Sequence, residues 1–132
     1  MTASPIAAAD VGDRAAMERV LAQADTAGHP VRGVLHAAMV LDDAPLAELT
    51  AERIEAVLHP KVRGANVLSE LTRDRDLDFF LVCSSLTASV GNLRQSPYCA
   101  ANAYLEALVR QRRSDGLPGR RTHRGDGACP RT

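Results

Sequence analysis

Tryptophan is absent from the 132 residues, and aromatic side chains amount to only 3%. A chain so poor in rings offers no stacked platform for unpaired bases. Sixteen basic side chains face sixteen acidic ones, so formal net charge is zero. No general field therefore draws the protein to nucleic acid or to an anionic membrane, and neither is expected as a partner. The Arg-rich end does not alter that balance. No run approaches the roughly 20 apolar residues of a membrane helix. The first ten residues lack the basic and apolar regions of a secretion signal, so the cytoplasm is the expected location. Cys83, Cys99 and Cys129 show no CxxC or metal-like spacing and read as reduced cytosolic thiols. His29, His59 and His123 form no ligand spacing either, so no metal is expected. Lysine is nearly missing: Lys61 is the only one among the sixteen basic side chains.

What is present suits one globular domain with a real core, at 45% hydrophobic and 24% charged residues. Residues 6–9 read as a short strand ending at Asp10. Asp13 can cap a helix reaching about Ala24, which Gly28-His29-Pro30 breaks. Residues 31–38 read as a buried strand. Thr50 can cap a second helix through Leu58, Pro60 should bend it, and the apolar pattern resumes from Val62 to Leu71. Residues 77–84 form the clearest strand pattern. A last helix spans 96–113, with Gly116 able to close it in a left-handed conformation. Arg110, Arg112 and Arg113 read as its polar end, where positive charge suits the helix dipole.

The order β-α-β-α-β-α, with continuous apolar strands, predicts an α/β fold: a parallel sheet covered by helices on both faces. Residues 1–118 make up this domain. Beyond Pro118 apolar periodicity ends, and 119–132 is expected to be a disordered Arg/Gly-rich tail.

Four residues carry chemistry. Hydride reduction of a carbonyl places negative charge on its oxygen, where a proton must arrive. A free phenol, with a pKa of about 10, is a poor donor near neutrality. A neighbouring ammonium stabilises the phenolate and brings it toward the working range. A serine hydroxyl can hold the carbonyl oxygen and stabilise its developing charge. On this scheme Tyr98 is the general acid, Lys61 tunes it and Ser85 orients the substrate. Asn102, one helical turn beyond Tyr98 and on the same face, supports a proton relay. Ser85 follows the carboxyl end of a strand, where open α/β sheets build their sites. Each residue alone has an ordinary reading: Ser85 as a turn residue, Tyr98 as packing, Lys61 as a solvated charge, Asn102 as a buried hydrogen-bonding group. Their joint occurrence points to a site.

The segments around these residues resemble the ketoreductase domain of modular polyketide synthases, within the short-chain dehydrogenase/reductase superfamily. The resemblance covers residues 6–118. It rests on His59-Pro60-Lys61 far upstream of Tyr98, with Asn102 four places after the tyrosine. Gly33-Val34-Leu35-His36-Ala37-Ala38, the run from Phe80 into Ser85, and Ala101 to Leu108 agree with it. The resemblance implies NADPH as cofactor, with Asp10 and Val11 near its adenine and His36, Ala37 and Ala38 beside it. It implies a β-ketoacyl substrate on an acyl carrier protein, reduced to the β-hydroxyacyl thioester. Leu41-Asp42-Asp43 resembles the loop that marks the B stereochemical type, with Asp43 the telling residue, and Leu93 and Pro97 are further candidates for substrate and stereocontrol. Met39 stands where the family has glycine, and Leu93 and Pro97 also depart from its usual residues.

No glycine-rich dinucleotide loop precedes Asp10. The resemblance therefore implies a partial Rossmann-like doubly wound sheet lacking the N-terminal βαβ and the C-terminal strands, with the tail reading as a shifted frame or truncated gene. The missing neighbour of strand 31–38 would leave an open edge. Two functions follow as expectations: a fragment of an NADPH-dependent ketoreductase, inactive in isolation, or a non-catalytic remnant or interaction piece completing a partner synthase domain.

Overall fold

The computed structural model describes residues 6–123. Asp13 opens helix α1 (Arg14–Thr26) by accepting the Ala16 N–H on its carboxylate at 3.1 Å. Strand β1 (Gly33–His36) follows. Thr50 accepts the Arg53 N–H and opens α2 (Ala51–Leu58). Pro60 has no N–H to give, and the winding widens there. His59–Arg63 forms a π-helical turn in which the Gly64 N–H reaches back to the His59 carbonyl. Helix α3 (Gly64–Leu71) resumes the path. Strand β2 (Phe79–Ser84), the short helix α4 (Thr87–Val90), helix α5 (Ser96–Ser114) and strand β3 (Arg120–His123) complete the order.

The three strands pair in parallel in the order β1-β2-β3, with Val34 beside Phe80 and Val82 beside Arg121. Val34, Phe80 and Val82 share one sheet face and pack with Ala65 of α3, Leu105 and Val109 of α5, and Leu77. Their opposite neighbours Leu35 and Phe79 are exposed. Burial therefore alternates along β1 and β2. Among the described residues the helices cover one face of the sheet, where the continuous apolar runs had pointed to two.

Three further expectations are corrected. Residues 6–9 form no strand, and Ile6 is 98% exposed, because no described strand lies beside them to take up their backbone bonds. The tail expected to be disordered from 119 onward instead supplies β3 at Arg120–His123. Pairing with β2 satisfies that backbone whatever its side chains, and register sets Arg121 against Glu106 in an ion pair and Thr122 beside Cys83 at 3.8 Å. Residues 124–132 lie outside the described residues. Arg112, read with Arg110 and Arg113 as the polar end of a helix, does lie in its last turn but is buried. Its guanidinium donates to the Pro118 and Ser69 carbonyls at 2.9 and 3.1 Å and lies 4.0 Å over the Phe80 ring. It thereby ties α3, α5 and the approach to β3 together.

Candidate active site

The carboxyl ends of β1 and β2 meet the first turns of α5 and the π-turn. Lys61 projects from that turn into the interior and is 2% exposed. Its Nζ donates to the Cys83 carbonyl at 2.9 Å and to Asn102 Oδ1 at 3.0 Å. Oxygen acceptors at this range are what let an ammonium stand inside a protein. The same Nζ lies 5.3 Å from the centroid of the Tyr98 ring. Asn102 is fully buried and donates its Nδ2 to the Tyr98 carbonyl at 2.8 Å, one turn back along α5. The amide thus reads the lysine on one side and the tyrosine backbone on the other.

A cavity of about 220 Å³ opens here, lined by Ala37, Met39, Lys61, Cys83, Ser84 and Tyr98. Ser85 follows directly and is half-buried. Its Oγ accepts from the Thr87 N–H at 3.3 Å and from the Thr87 hydroxyl at 3.0 Å. Ser84, by contrast, gives its proton to Glu106 Oε1 at 3.0 Å, a carboxylate also held by Arg121. Ser84 therefore anchors β2 to α5, and Ser85 is the serine whose proton is not committed in this way.

The other candidates lie around this centre. Asp10 accepts the Gly12 N–H at 2.8 Å and pairs with His59 Nε2 at 2.9 Å. The Gly12 bond, and after it His59, hold its carboxyl below the usual range. Val11 packs against the start of α3: a Cβ on Gly64 would sit 2.6 Å from Val11 Cγ1, so the helix approaches this closely only with glycine there. Ala37 lines the cavity and Ala38 is half-buried beside it. His36, expected beside the cofactor, is not among the cavity's lining residues. Its ring is 3% exposed, and Nε2 lies 3.1 Å from the Lys61 carbonyl. Burial pushes its pKa down. Asp43 accepts from Gln95 Nε2 at 2.8 Å, and the Ala44 N–H donates to the Arg94 carbonyl at 2.9 Å. These bonds join the loop after β1 to the loop before α5. Leu93 in that second loop is exposed, and Pro97 is buried in the first turn of α5.

The structure thus brings Lys61, Asn102 and Tyr98 together, with Ser85 adjoining. It places Asp10, Asp43 and Leu93 outside the cavity lining. Sequence reasoning missed Thr87, Glu106 and the contact from His36 to residue 61. Thr87 could have been found from its place two residues after Ser85, a recurrent hydroxyl-turn spacing. Glu106 continues the four-residue polar stripe Tyr98, Asn102 on α5. No local pattern announces the third contact.

A family model described as the KR domain matches residues 3–123. The phenolphthiocerol synthesis polyketide synthase type I Pks15/1 of Mycobacterium marinum (strain ATCC BAA-535 / M) is 49% identical over 114 residues, covering 86% of this chain and 5% of that protein. The mycoketide-CoA synthase of Mycobacterium tuberculosis (strain ATCC 25618 / H37Rv) is 45% identical over 86% of this chain and 3% of its own length. Among solved structures, the ketoreductase from the first module of phoslactomycin biosynthesis in Streptomyces sp. HK803 matches with a TM-score of 0.83 and 42% identity, over 89% of this chain and 27% of that one. The chain therefore spans a small part of the synthases it matches and about a quarter of the solved ketoreductase. With nearly its whole length inside the family match, the chain belongs to the KR domain family.

Proposed function

We propose that this chain carries the proton-donating side of a polyketide synthase ketoreductase, which reduces a β-ketoacyl group on an acyl carrier protein thioester to the β-hydroxyacyl form with NADPH. The observation that carries the reading is the buried Lys61 ammonium, 3.0 Å from Asn102 and 5.3 Å from the Tyr98 ring. Three segments far apart in sequence converge on one small cavity to make it. Ligand pockets for drug-sized molecules run to about 300–1,000 Å³. The 220 Å³ here suits a ring and a carbonyl group, not a whole dinucleotide. The reacting end of a nicotinamide cofactor therefore fits these residues, with Ala37 and Ala38 small enough to let backbone approach it. Asp10 and Val11 are the candidates for its far end. The nicotinamide, when bound, supplies the hydride to the carbonyl carbon.

Tyr98 gives its phenolic proton to the carbonyl oxygen as charge develops there. Lys61 stabilises the phenolate left behind, and Asn102 holds the lysine in place, in support of the relay that returns a proton to the tyrosine. Ser85, whose oxygen already accepts from Thr87, offers its own proton to the carbonyl oxygen and orients it. Asp43, Leu93 and Pro97 shape the approach of the acyl group. A second reading, a non-catalytic piece that completes a partner synthase domain, is favoured by the outer edge of β1, which no strand among the described residues pairs.

The test follows nicotinamide absorbance with a β-ketoacyl thioester mimic, for the chain alone and mixed with the cofactor-binding half of a ketoreductase. Turnover in the mixture, reduced about 10²- to 10⁴-fold by Tyr98→Phe, is the expected result. Equal rates for the two proteins remove Tyr98 from its role. Binding of the half-domain without turnover leaves the second reading.

A further inference from the structure

The Lys61 side chain is a flexible four-carbon stem, so its aim depends on how firmly the backbone beneath it is held. That backbone is the π-turn His59–Arg63, where Pro60 has interrupted the regular ladder. Single π-turns inside helices recur at functional sites because they re-aim a side chain. This one is met from below by the end of β1. The His36 ring, buried at 3% exposure, brings Nε2 to 3.1 Å from the Lys61 carbonyl and also faces the Pro60 carbonyl. A carbonyl only accepts, so Nε2 carries the proton and donates it. The absent Cβ of Gly64 leaves room for the ring: an added Cβ would stand 3.3 Å from His36 Cε1.

We propose that His36 is a positioning residue of the reductive site: by donating Nε2–H to the Lys61 carbonyl, it fastens the π-turn to the sheet and so delivers the Lys61 ammonium to Asn102 and the Cys83 carbonyl. The proposal deepens the reading of Lys61 given above and rests on it for its functional meaning. His36 is not among the residues lining the cavity. Its ring acts through the backbone carbonyls of the π-turn, Lys61 first and Pro60 beside it.

Because Lys61 is the only lysine in the chain, lysine labelled with ¹³C and ¹⁵N reports on it without ambiguity. In the wild-type protein its ammonium protons exchange slowly and its methylene protons lie close to the Asn102 amide. In His36→Leu the exchange accelerates about tenfold and the Asn102 proximity is lost, while far-UV circular dichroism is retained. His36→Gln, whose side-chain amide can reach the same carbonyl, restores both signals. A folded His36→Leu protein with the wild-type lysine signal overturns the proposal. Should the leucine variant not fold, the wild-type ¹⁵N imidazole spectrum decides: a neutral ring protonated at Nε2 supports the proposal, and a proton on Nδ1 overturns it. None of these signals reads NADPH consumption, so failure of Tyr98-dependent reduction would sink the functional reading and leave these outcomes standing.

Discussion

Burial holds the His36 imidazole below its ordinary value of 6.5, the Lys61 ammonium adds to the effect, and hydrogen bonds to the Lys61 and Pro60 carbonyls only partly offset it. The unfolded chain takes up a proton near pH 6.5 that the folded chain refuses. Below that pH the unfolded state binds more protons, so stability declines as pH falls from about 6.5 toward the folded value and is fully retained above it. The carboxylates of exposed Asp10, Asp25 and Asp78 and of half-buried Asp42 are depressed by their hydrogen-bond partners, so their contribution is lost only in a more acidic window, below about 3.8. The midpoint of thermal unfolding should therefore drop between pH 7.5 and pH 5 in the wild type and drop less in His36→Gln. Parallel curves for the two proteins would show that the imidazole is not the group responsible. The contrast with Tyr98 and Asn102 is instructive. Their four-residue spacing on α5 is local, and the sequence shows it directly. The meeting of residue 36 with residue 61 is a product of packing between a strand and a helix 25 positions apart, and no spacing rule encodes it.

Helix ends are the elements that local chemistry specifies best, and here they follow it. Asp13 and Thr50 were legible as caps because their side-chain oxygens replace helical acceptors for N–H groups one turn ahead. Gly116 closes α5 with φ of 76°, the Leu117 N–H bonding to the Arg112 carbonyl at 2.8 Å and the Gly116 N–H to that of Arg113 at 3.1 Å. This paired closure turns the chain toward β3. Gly116→Ala keeps the bonds but forces a Cβ into the left-handed region. Urea unfolding should find the variant less stable by about 1 kcal/mol, since that is the usual cost of a non-glycine residue there. An unchanged midpoint would mean that the turn relaxes without loss. Strand β3 was illegible for the opposite reason. Arg120-Arg121-Thr122-His123 has no strand pattern of its own, and its state comes from β2, which offers a row of backbone partners. The segment 6–9 has the apolar pattern but no described neighbour strand, and it stays unpaired.

At the scale of the whole molecule, sheet order decides the surface. β2 has a neighbour on each side, whereas β1 has one, so among the described residues its outer edge presents unpaired N–H and C=O groups. The side chain that edge shows to water is Leu35, 62% exposed, and no charged residue lies within Gly33–His36 to discourage pairing. Edge geometry and apolar exposure together favour strand addition from another chain: a second copy when nothing else is at hand, or the matching half of a synthase domain when it is supplied. Light scattering of the purified protein should rise with concentration. Leu35→Lys should suppress that rise, because a charge on an edge strand opposes stacking of a further strand. Leu46→Lys is the control, since Leu46 is 77% exposed but belongs to a 3₁₀ turn and not to a strand. If both substitutions suppress association equally, general apolar exposure drives it. If only the change at residue 35 does so, the open edge is the route, and adding a ketoreductase half-domain should compete with self-association at the same strand.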